Sequence, residues 1–277
     1  MSGRVRFLVF FLCLISLSAA LGTGQAESLS DLPPLSIQDG TAGGDEALRP
    51  SPLPLPDDRP FIIRFGDRNV PRIALTMDDC YEIPFVRKAF ELCGELGIVM
   101  TFYPLGCMLK EEDRELWQAI ADSGCEIGTH TLYHNDIGKM DKATLLRNLL
   151  KPQEILDSLL GYHYPIRSIR PPYGNIEDEN GNPSRAVRVL RQAGFDHVVN
   201  WDVSQTDPWK ALPAVRNGSI LLYHARWKDM ECISVLVPEL LKKGFEFVTV
   251  SELLDFPPLA TSTDLYTYRL SDYQGRM

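Results

Sequence analysis

Positive charge and histidine are both scarce in this sequence. Its 28 lysines and arginines are outnumbered by 37 acidic residues, which leaves a formal net charge of -9 over 277 residues. Such a chain repels the phosphates of nucleic acids and anionic lipid surfaces, so neither is expected as a partner. The chain contains only five histidines, so two of them close together would point to chemistry rather than to chance.

Cysteine usage is sparse as well. Of six cysteines, Cys13 lies near the N-terminus and five lie further along the chain, at spacings that exclude a zinc ribbon and a disulfide-rich scaffold. Their odd number requires at least one free thiol or an intermolecular bond. Burial as small apolar side chains is expected for most of them.

A long apolar run occurs at the N-terminus. Two arginines precede an uncharged run from Phe7 to Leu21, and small residues follow through Ala26. This order is typical of a secretory signal sequence, so residues 1–26 are predicted to be a signal peptide and the protein to be secreted or held at the cell surface. The run is short for a membrane span, and a retained N-terminal anchor is the alternative. No other membrane segment is expected.

Three further regions follow the signal. Residues 27–59 are rich in proline, serine, aspartate and glycine, which predicts a stiff, extended linker. One folded domain is predicted at 60–255, and a polar, tyrosine-rich tail without assigned function at 256–277.

Strand-like and helix-like stretches alternate within the domain. Strands are predicted at 73–76, 98–103, 126–129, 168–170, 197–201, 219–224 and 245–250, and helices at 84–96, 117–123, 142–160, 186–193 and 233–242. Repeated βα units imply an α/β fold with a mainly parallel sheet. About seven strands favour a closed or nearly closed (β/α) barrel.

The first of these strands ends abruptly in two carboxylates, Asp78 and Asp79. In α/β proteins, active sites lie at the carboxyl ends of the strands. Neighbouring side chains of a strand point in opposite directions, so the two carboxylates should differ in role, one holding a metal and one handling a proton. The alternative is a polar turn at which the strand runs out into solvent.

Two histidines, His130 and His134, directly follow the strand at 126–129. At this spacing they can face one ion, and imidazole suits zinc and its neighbours in the transition series. The alternative is a pair of unrelated surface histidines.

Polar residues also stand at three further strand ends, namely Arg170, Asp202 with Asp207, and His224. Strand ends share one face of a parallel barrel, so these groups should meet. Taken alone, Asp207 could equally be a helix N-cap before Pro208.

In this order, the segments resemble the motifs of the polysaccharide deacetylase family, the NodB-homology group also called carbohydrate esterase family 4. The resemblance covers about residues 60–255 and implies a distorted barrel of the NodB-homology type. Its five motifs are matched by Thr76–Asp79, His130–His134, Arg170–Tyr173, Trp201–Trp209 and Leu222–His224.

The resemblance implies a role for each matching residue. Asp79, His130 and His134 would bind a divalent metal, expected to be zinc, with cobalt, nickel and manganese as alternatives. Asp78 would be the general base, oriented by Arg170, and His224 the general acid. Tyr173, Leu222 and Trp209 would contact the substrate, and the backbone N–H of Tyr133 or Tyr173 would lie near the oxyanion.

Two departures from the family pattern stand out. The fourth motif usually reads Asp-x-x-Asp-Trp, whereas here Ser204 and Asp207 occupy the two acidic positions and Pro208 replaces the tryptophan. Asp207 is therefore the candidate for supporting His224, with Asp202 in reserve. Cys80 stands where the family commonly has glycine, and its side chain is expected to narrow the groove beside the metal.

Export and resemblance together predict a secreted, metal-dependent deacetylase that acts on N-acetyl groups of an amino-sugar polymer, peptidoglycan or chitin-like. The protein is expected to be a monomer with a polysaccharide substrate. The alternatives are an O-acetyl esterase of the xylan type, a non-catalytic carbohydrate-binding relative, and a hydrolase of small amides.

Overall fold

The computed structural model describes residues 60–258 and 260–276, so the predicted signal sequence and linker lie outside the described residues. The strands are β1 (Ile62–Ile63), β2 (Arg72–Asp79), β3 (Thr101–Pro104), β4 (Glu126–Ile127), β5 (Val198–Val199), β6 (Ile220–His224) and β7 (Glu246–Phe247). The helices are α1 (Ile83–Leu96), α2 (Arg114–Asp122), α3 (Lys142–Leu160), α4 (Ser184–Gln192), α5 (Pro208–Ala211), α6 (Trp227–Lys242) and α7 (Val250–Leu253).

Strand β2 is the centre of the main sheet. It pairs in parallel with β3 and with β6, β4 lies beyond β3, and β7 pairs with the first two residues of β2. Strands β1 and β5 form a second parallel pair, and single parallel bridges from Thr129 to Ile169 and from Val203 to Leu221 extend the pairing further. The predicted α/β fold, a distorted barrel of about seven parallel strands, is confirmed.

The composition of β2 explains its central place. Its six inner residues are all buried, which is typical of a strand covered on both faces. The register sets Asp78 beside Tyr103 of β3 and His224 of β6, so the carboxyl ends of three strands meet at one edge.

Helix α3 has the bounds that its sequence pattern predicts. The Asp141 side chain accepts the N–H of Thr144 at its start, and Gly161, at φ +80°, ends it in the left-handed conformation that glycine adopts without cost. Its apolar face packs in a buried cluster with residues such as Ile169 and Leu190.

Strands β3, β4, β5 and β7 are all shorter than predicted, and residues 168–170, predicted as a strand, form only a single bridge at Ile169. Pairing of β4 with β3 ends at Ile127, and β7 ends at Phe247. The reason at β7 is a capping box, in which Thr249 and Glu252 exchange side-chain and backbone hydrogen bonds and start helix α7.

The C-terminal segment lies against α3. The backbone N–H groups of Tyr266 and Tyr268 donate to Asp157 at 2.8 Å and to Glu154 at 2.9 Å. Asp157 is fully buried and also accepts from Gln153. Part of the predicted polar tail therefore packs against the domain. Within 60–258 and 260–276, no helix is both long and apolar enough to cross a membrane.

Candidate active site

The end of β2 carries an unusual backbone. Asp79 and Cys80 have φ angles of +66° and +59°, in the left-handed region that side chains other than glycine rarely adopt. The chain therefore turns sharply just after Asp78. The two neighbouring carboxylates face different partners as a result, Asp78 an arginine and Asp79 two histidines.

Asp79, His130 and His134 form a compact group whose ligand atoms all lie within 4.8 Å of one another. The Oδ1 atom of Asp79 lies 3.3 Å from Nε2 of His130 and 3.5 Å from Nε2 of His134. That oxygen is buried and has no hydrogen-bond partner. One carboxylate and two imidazoles are the donor set of transition-metal sites, and a divalent cation would supply the partner that Asp79 lacks.

The second ring nitrogen of His130 is also fixed. Its Nδ1 lies 2.8 Å from the backbone carbonyl of Arg170, which places the proton on Nδ1 and directs the Nε2 lone pair toward Asp79. A carbonyl behind a ligating histidine is the usual arrangement at protein metal sites, because it fixes the tautomer and the orientation of the ring.

The electrostatics of the group favour a cation. Burial by itself opposes ionisation of Asp79, but the imidazoles of His130 and His134 hold the pKa of Asp79 below its usual value. Burial also opposes charge on His130, yet the carboxylates of Asp78 and Asp79 hold its pKa above the usual value. Burial lowers the pKa of His134, which keeps that imidazole neutral and able to ligate.

Asp78 is held from the opposite side by Arg170. The Nη1 atom of Arg170 donates to Oδ1 of Asp78 at 2.8 Å and to the Thr76 hydroxyl at 2.5 Å. Its Nε and Nη2 atoms donate to the carbonyls of Val199 at 3.0 Å and Asn200 at 3.2 Å. Arg170 is fully buried, so one oxygen of Asp78 is fixed by a guanidinium that is itself immobilised.

His224, at the end of β6, contacts residues that follow it in the chain. Its Nδ1 lies 2.7 Å from Nη2 of Arg226 and 3.6 Å from Oδ2 of Asp229. The same carboxylate oxygen accepts the backbone N–H of His224 at 3.2 Å and Nε of Arg226 at 3.1 Å. Asp229 is buried, whereas the side chain of Arg226 is 59% exposed.

The prediction that Asp207 or Asp202 contacts His224 is wrong. Asp207 caps α5, where its side chain accepts the N–H groups of Trp209 and Lys210. Asp202 pairs with Arg68 at 2.7 Å. The turn through Pro208 directs Asp207 into the helix cap, which was the alternative for that residue, and Asp229 is the carboxylate beside His224.

Cys80 also differs from expectation. Its side chain is fully buried in the main apolar cluster, and its thiol lies 4.0 Å from the carbonyl of Met77. Burial, with the charges of Asp78 and Asp79, raises the pKa of this thiol well above its usual value. The cysteine therefore points into the core and does not narrow the groove, because the left-handed turn breaks the alternation of an extended strand. All five cysteines in the described part of the chain are free thiols.

The predicted substrate contacts lie in different settings. Tyr173 is 66% exposed, its ring packs edge-on against His134 at 4.5 Å between centroids, and its hydroxyl donates to the His134 carbonyl at 3.4 Å. Leu222 is buried in β6, beside Thr76 of β2. Trp209 is 65% exposed at the start of α5.

Sequence reasoning missed Arg226 and Asp229. The signal was present, because an acidic residue three positions after an arginine, just beyond a strand-end histidine, makes an ion pair in the first turn of a helix. Comparison with the family's fourth motif drew attention to Asp207 instead.

This chain is similar in sequence and in structure to known polysaccharide deacetylases. Residues 66–198 match the family model described as polysaccharide deacetylase. A peptidoglycan-N-acetylglucosamine deacetylase from Bacillus cereus is 28% identical over 203 residues, which cover 68% of this chain and 70% of the relative. The crystal structure of the Bc1960 peptidoglycan N-acetylglucosamine deacetylase has a TM-score of 0.60 at 26% identity and covers 71% of this chain and 94% of that one.

One structural neighbour is described as catalytically inactive. A family 4 pseudoenzyme from Bacillus anthracis has a TM-score of 0.61 at 18% identity, over 76% of this chain and 75% of that one, a likeness that concerns the fold alone. The family model, the relatives and the parallel α/β fold with its paired carboxylates and histidines agree, and residues 66–198 carry the homology region of the polysaccharide deacetylase family.

Proposed function

We propose that this protein is an exported, metal-dependent deacetylase that removes N-acetyl groups from an amino-sugar polymer, with peptidoglycan as the first candidate substrate. The observation that carries the proposal is the arrangement at the end of β2. A half-buried Asp–His–His group lies there next to a carboxylate held by a buried arginine, with a histidine in register on the neighbouring strand.

Asp79, His130 and His134 would hold the metal, with zinc expected first and cobalt, nickel and manganese as alternatives. When bound, such an ion supplies Lewis-acid polarisation of an acyl oxygen and activation of water. The fit rests on the unpartnered oxygen of Asp79 and on the fixed tautomer of His130.

Asp78 would act as the general base. Arg170 holds Oδ1, so Oδ2 is the oxygen through which Asp78 would accept a proton from the attacking water. The same contact fixes the direction of the carboxylate, and Thr76 and two backbone carbonyls fix the guanidinium.

His224 would act as the general acid. Both of its side-chain contacts are made through Nδ1, so Nε2 is the nitrogen that would give a proton to the departing amine. Acid and base assistance of this kind contributes about a hundred- to ten-thousand-fold each to the rate. The backbone N–H of Tyr133 or Tyr173 is proposed as an additional donor to the developing oxyanion.

A neutral sugar polymer suits the remaining surface. Tyr173 and Trp209 expose rings on which sugar faces can stack, and Leu222 would contact the acetyl methyl group. Relatives that act on peptidoglycan and the predicted signal sequence favour a cell-wall substrate met outside the cytoplasm. A monomer is proposed, since each catalytic group comes from one chain.

Acetate release from peptidoglycan, chitin oligomers and acetylated xylan tests the proposal, with the full chain loaded in turn with each of the four metals. Asp78→Asn should abolish release while metal stays bound, and His130→Ala should lose both. His197→Ala, which removes a histidine near Pro60, is the matched control and should keep both.

Two outcomes would contradict the proposal. If Asp78→Asn kept full activity, the assignment of the base would be wrong. If the metal-loaded wild type bound the oligomers but released no acetate from any substrate, the non-catalytic alternative would replace the deacetylase. Release from xylan alone would favour the O-acetyl esterase.

A further inference from the structure

His224 has two neighbours of opposite charge that compete for one ring nitrogen. Arg226 Nη2 lies 2.7 Å from Nδ1, and Asp229 Oδ2 lies 3.6 Å from the same atom. A guanidinium only donates hydrogen bonds, whereas a carboxylate only accepts them. The two neighbours therefore require different protonation states of His224.

In the arrangement observed, Arg226 donates to Nδ1. This contact requires an unprotonated Nδ1, so His224 is the neutral tautomer with its proton on Nε2. A neutral imidazole is a poor acid, because loss of that proton would leave an imidazolate. The state with Arg226 bound is therefore a resting state of the proposed general acid.

Protonation of Nδ1 reverses the preference. The new N–H cannot accept from Arg226 and instead finds Oδ2 of Asp229, which is already held in place by the backbone N–H of His224 and by Nε of Arg226. Burial by itself opposes ionisation of this carboxylate, but its neighbours His224 and Arg226 hold the pKa of Asp229 below its usual value.

We propose that Arg226 and Asp229 are a pair of positioning residues for His224, Arg226 holding the neutral resting imidazole and Asp229 holding the protonated one. When the imidazolium gives its Nε2 proton to an amine, Nδ1–H stays on Asp229; Asp78 then releases to solvent the proton that it took from the attacking water, and His224 regains one proton at Nε2 from solvent. The role of this pair in catalysis rests on the proposed function. The competition between Arg226 and Asp229 for Nδ1 of His224 follows from the contacts alone and does not.

Two other charged residues near His224, Asp78 and Asp79, are unchanged in all the variants of the test described below. Asp78 is its register partner on β2, and Asp79 interacts with it electrostatically. Neither is altered in the test, so differences between variants report on Arg226 and Asp229.

The test is an NMR titration of the His224 imidazole in the zinc-loaded full chain, with its signal identified by its loss in His224→Gln. Asp229→Asn should lower the titration midpoint by about one pH unit, because a buried opposite charge is removed. Arg226→Gln should raise it by about half a unit, less because this side chain is mostly exposed and screened. Arg226→Gln should also move the neutral form toward the Nδ1–H tautomer.

Two exposed charges of α6 give matched controls. Glu231→Gln and Lys228→Gln remove the same kinds of charge from the same helix and should move the midpoint by less than about 0.2 units. Because Arg226 is exposed, its variant should fold even if Asp229→Asn does not.

The two substitutions must shift the midpoint in opposite directions. Shifts in one direction, or none, would overturn the proposal, as would an Asp207→Asn variant with an effect equal to that of Asp229→Asn. If acetate is released, the alkaline limb of the kcat profile should move with the midpoint. Opposite NMR shifts in a protein that releases no acetate would support the pair and contradict the proposed function.

Discussion

Removing Arg170 should destabilise the domain mainly by leaving Asp78 buried without its counter-ion. Arg170 is fully buried, Asp78 is 2% exposed, and Nη1 and Oδ1 are 2.8 Å apart. Removing one partner of a buried ion pair costs about 3–5 kcal/mol. Arg170→Met should therefore lower the free energy of unfolding by about 4 kcal/mol.

A double-mutant cycle with Asp78→Asn isolates the pair. Arg170→Met also leaves the carbonyls of Val199 and Asn200 without donors, but that loss is the same in both backgrounds and cancels. A coupling of about 4 kcal/mol is expected, as for two charges about 4 Å apart at an effective dielectric constant of about 20.

Urea unfolding followed by circular dichroism measures all four corners of the cycle. Arg188→Met, which removes an exposed arginine of α4, is the control and should change stability by less than about 0.5 kcal/mol. Additive effects, with a coupling below about 0.5 kcal/mol, would refute the view that Arg170 acts on Asp78 through direct charge pairing.

Further predictions concern other parts of the domain. Zinc at 100 times its dissociation constant should stabilise the wild type by about 2.7 kcal/mol, and Asp79→Asn should lose most of this gain in thermal unfolding. Cys80→Gly should change stability by less than about 1 kcal/mol, because relief at φ +59° offsets lost packing, whereas the β-branched Cys80→Val should cost more than about 2 kcal/mol in urea unfolding. Asp157→Leu should cost about 3–5 kcal/mol and speed proteolysis of the C-terminal segment, since four donors lose one buried acceptor. Because the folded-state pKa of Asp229 lies below its ordinary 3.8, its stabilisation is complete well above pH 3.8 and is lost as the pH falls through the folded-state value. The stability gap between wild type and Asp229→Asn should then be widest near pH 7, narrow once the pH falls below 3.8, and close only below the folded-state pKa.

The sequence predicts elements well where the signal is local. Helix α3 matches its predicted bounds because its apolar pattern, the Asp141 cap and Gly161 all lie within the segment. Strands β4 and β7 are shorter than predicted because the extent of a strand depends on its partner, which no local pattern specifies.

In the candidate site, too, some features could be predicted from the sequence and others depend on the three-dimensional structure. Asp79, His130 and His134 could be picked out because strand ends share one edge of a parallel sheet, and the structure brings them together. The direction of the Cys80 side chain could not be predicted. Alternation of side chains assumes an extended backbone, and the positive φ at Asp79 and Cys80 breaks that alternation. The partner of His224 depends on side-chain contacts in the first turn of α6, which motif spacing does not contain.

The buried Cys80 makes the end of β2 observable. Its thiol is inaccessible in the folded domain, yet it adjoins Asp79 and shares the left-handed turn that aims that carboxylate. A maleimide or disulfide reagent can reach it only when this turn opens. The labelling rate of Cys80, read by mass spectrometry of its peptide, therefore reports the rate at which the structure opens locally at the metal site. The decrease in that rate on addition of zinc would measure how strongly the ion stabilises the closed turn.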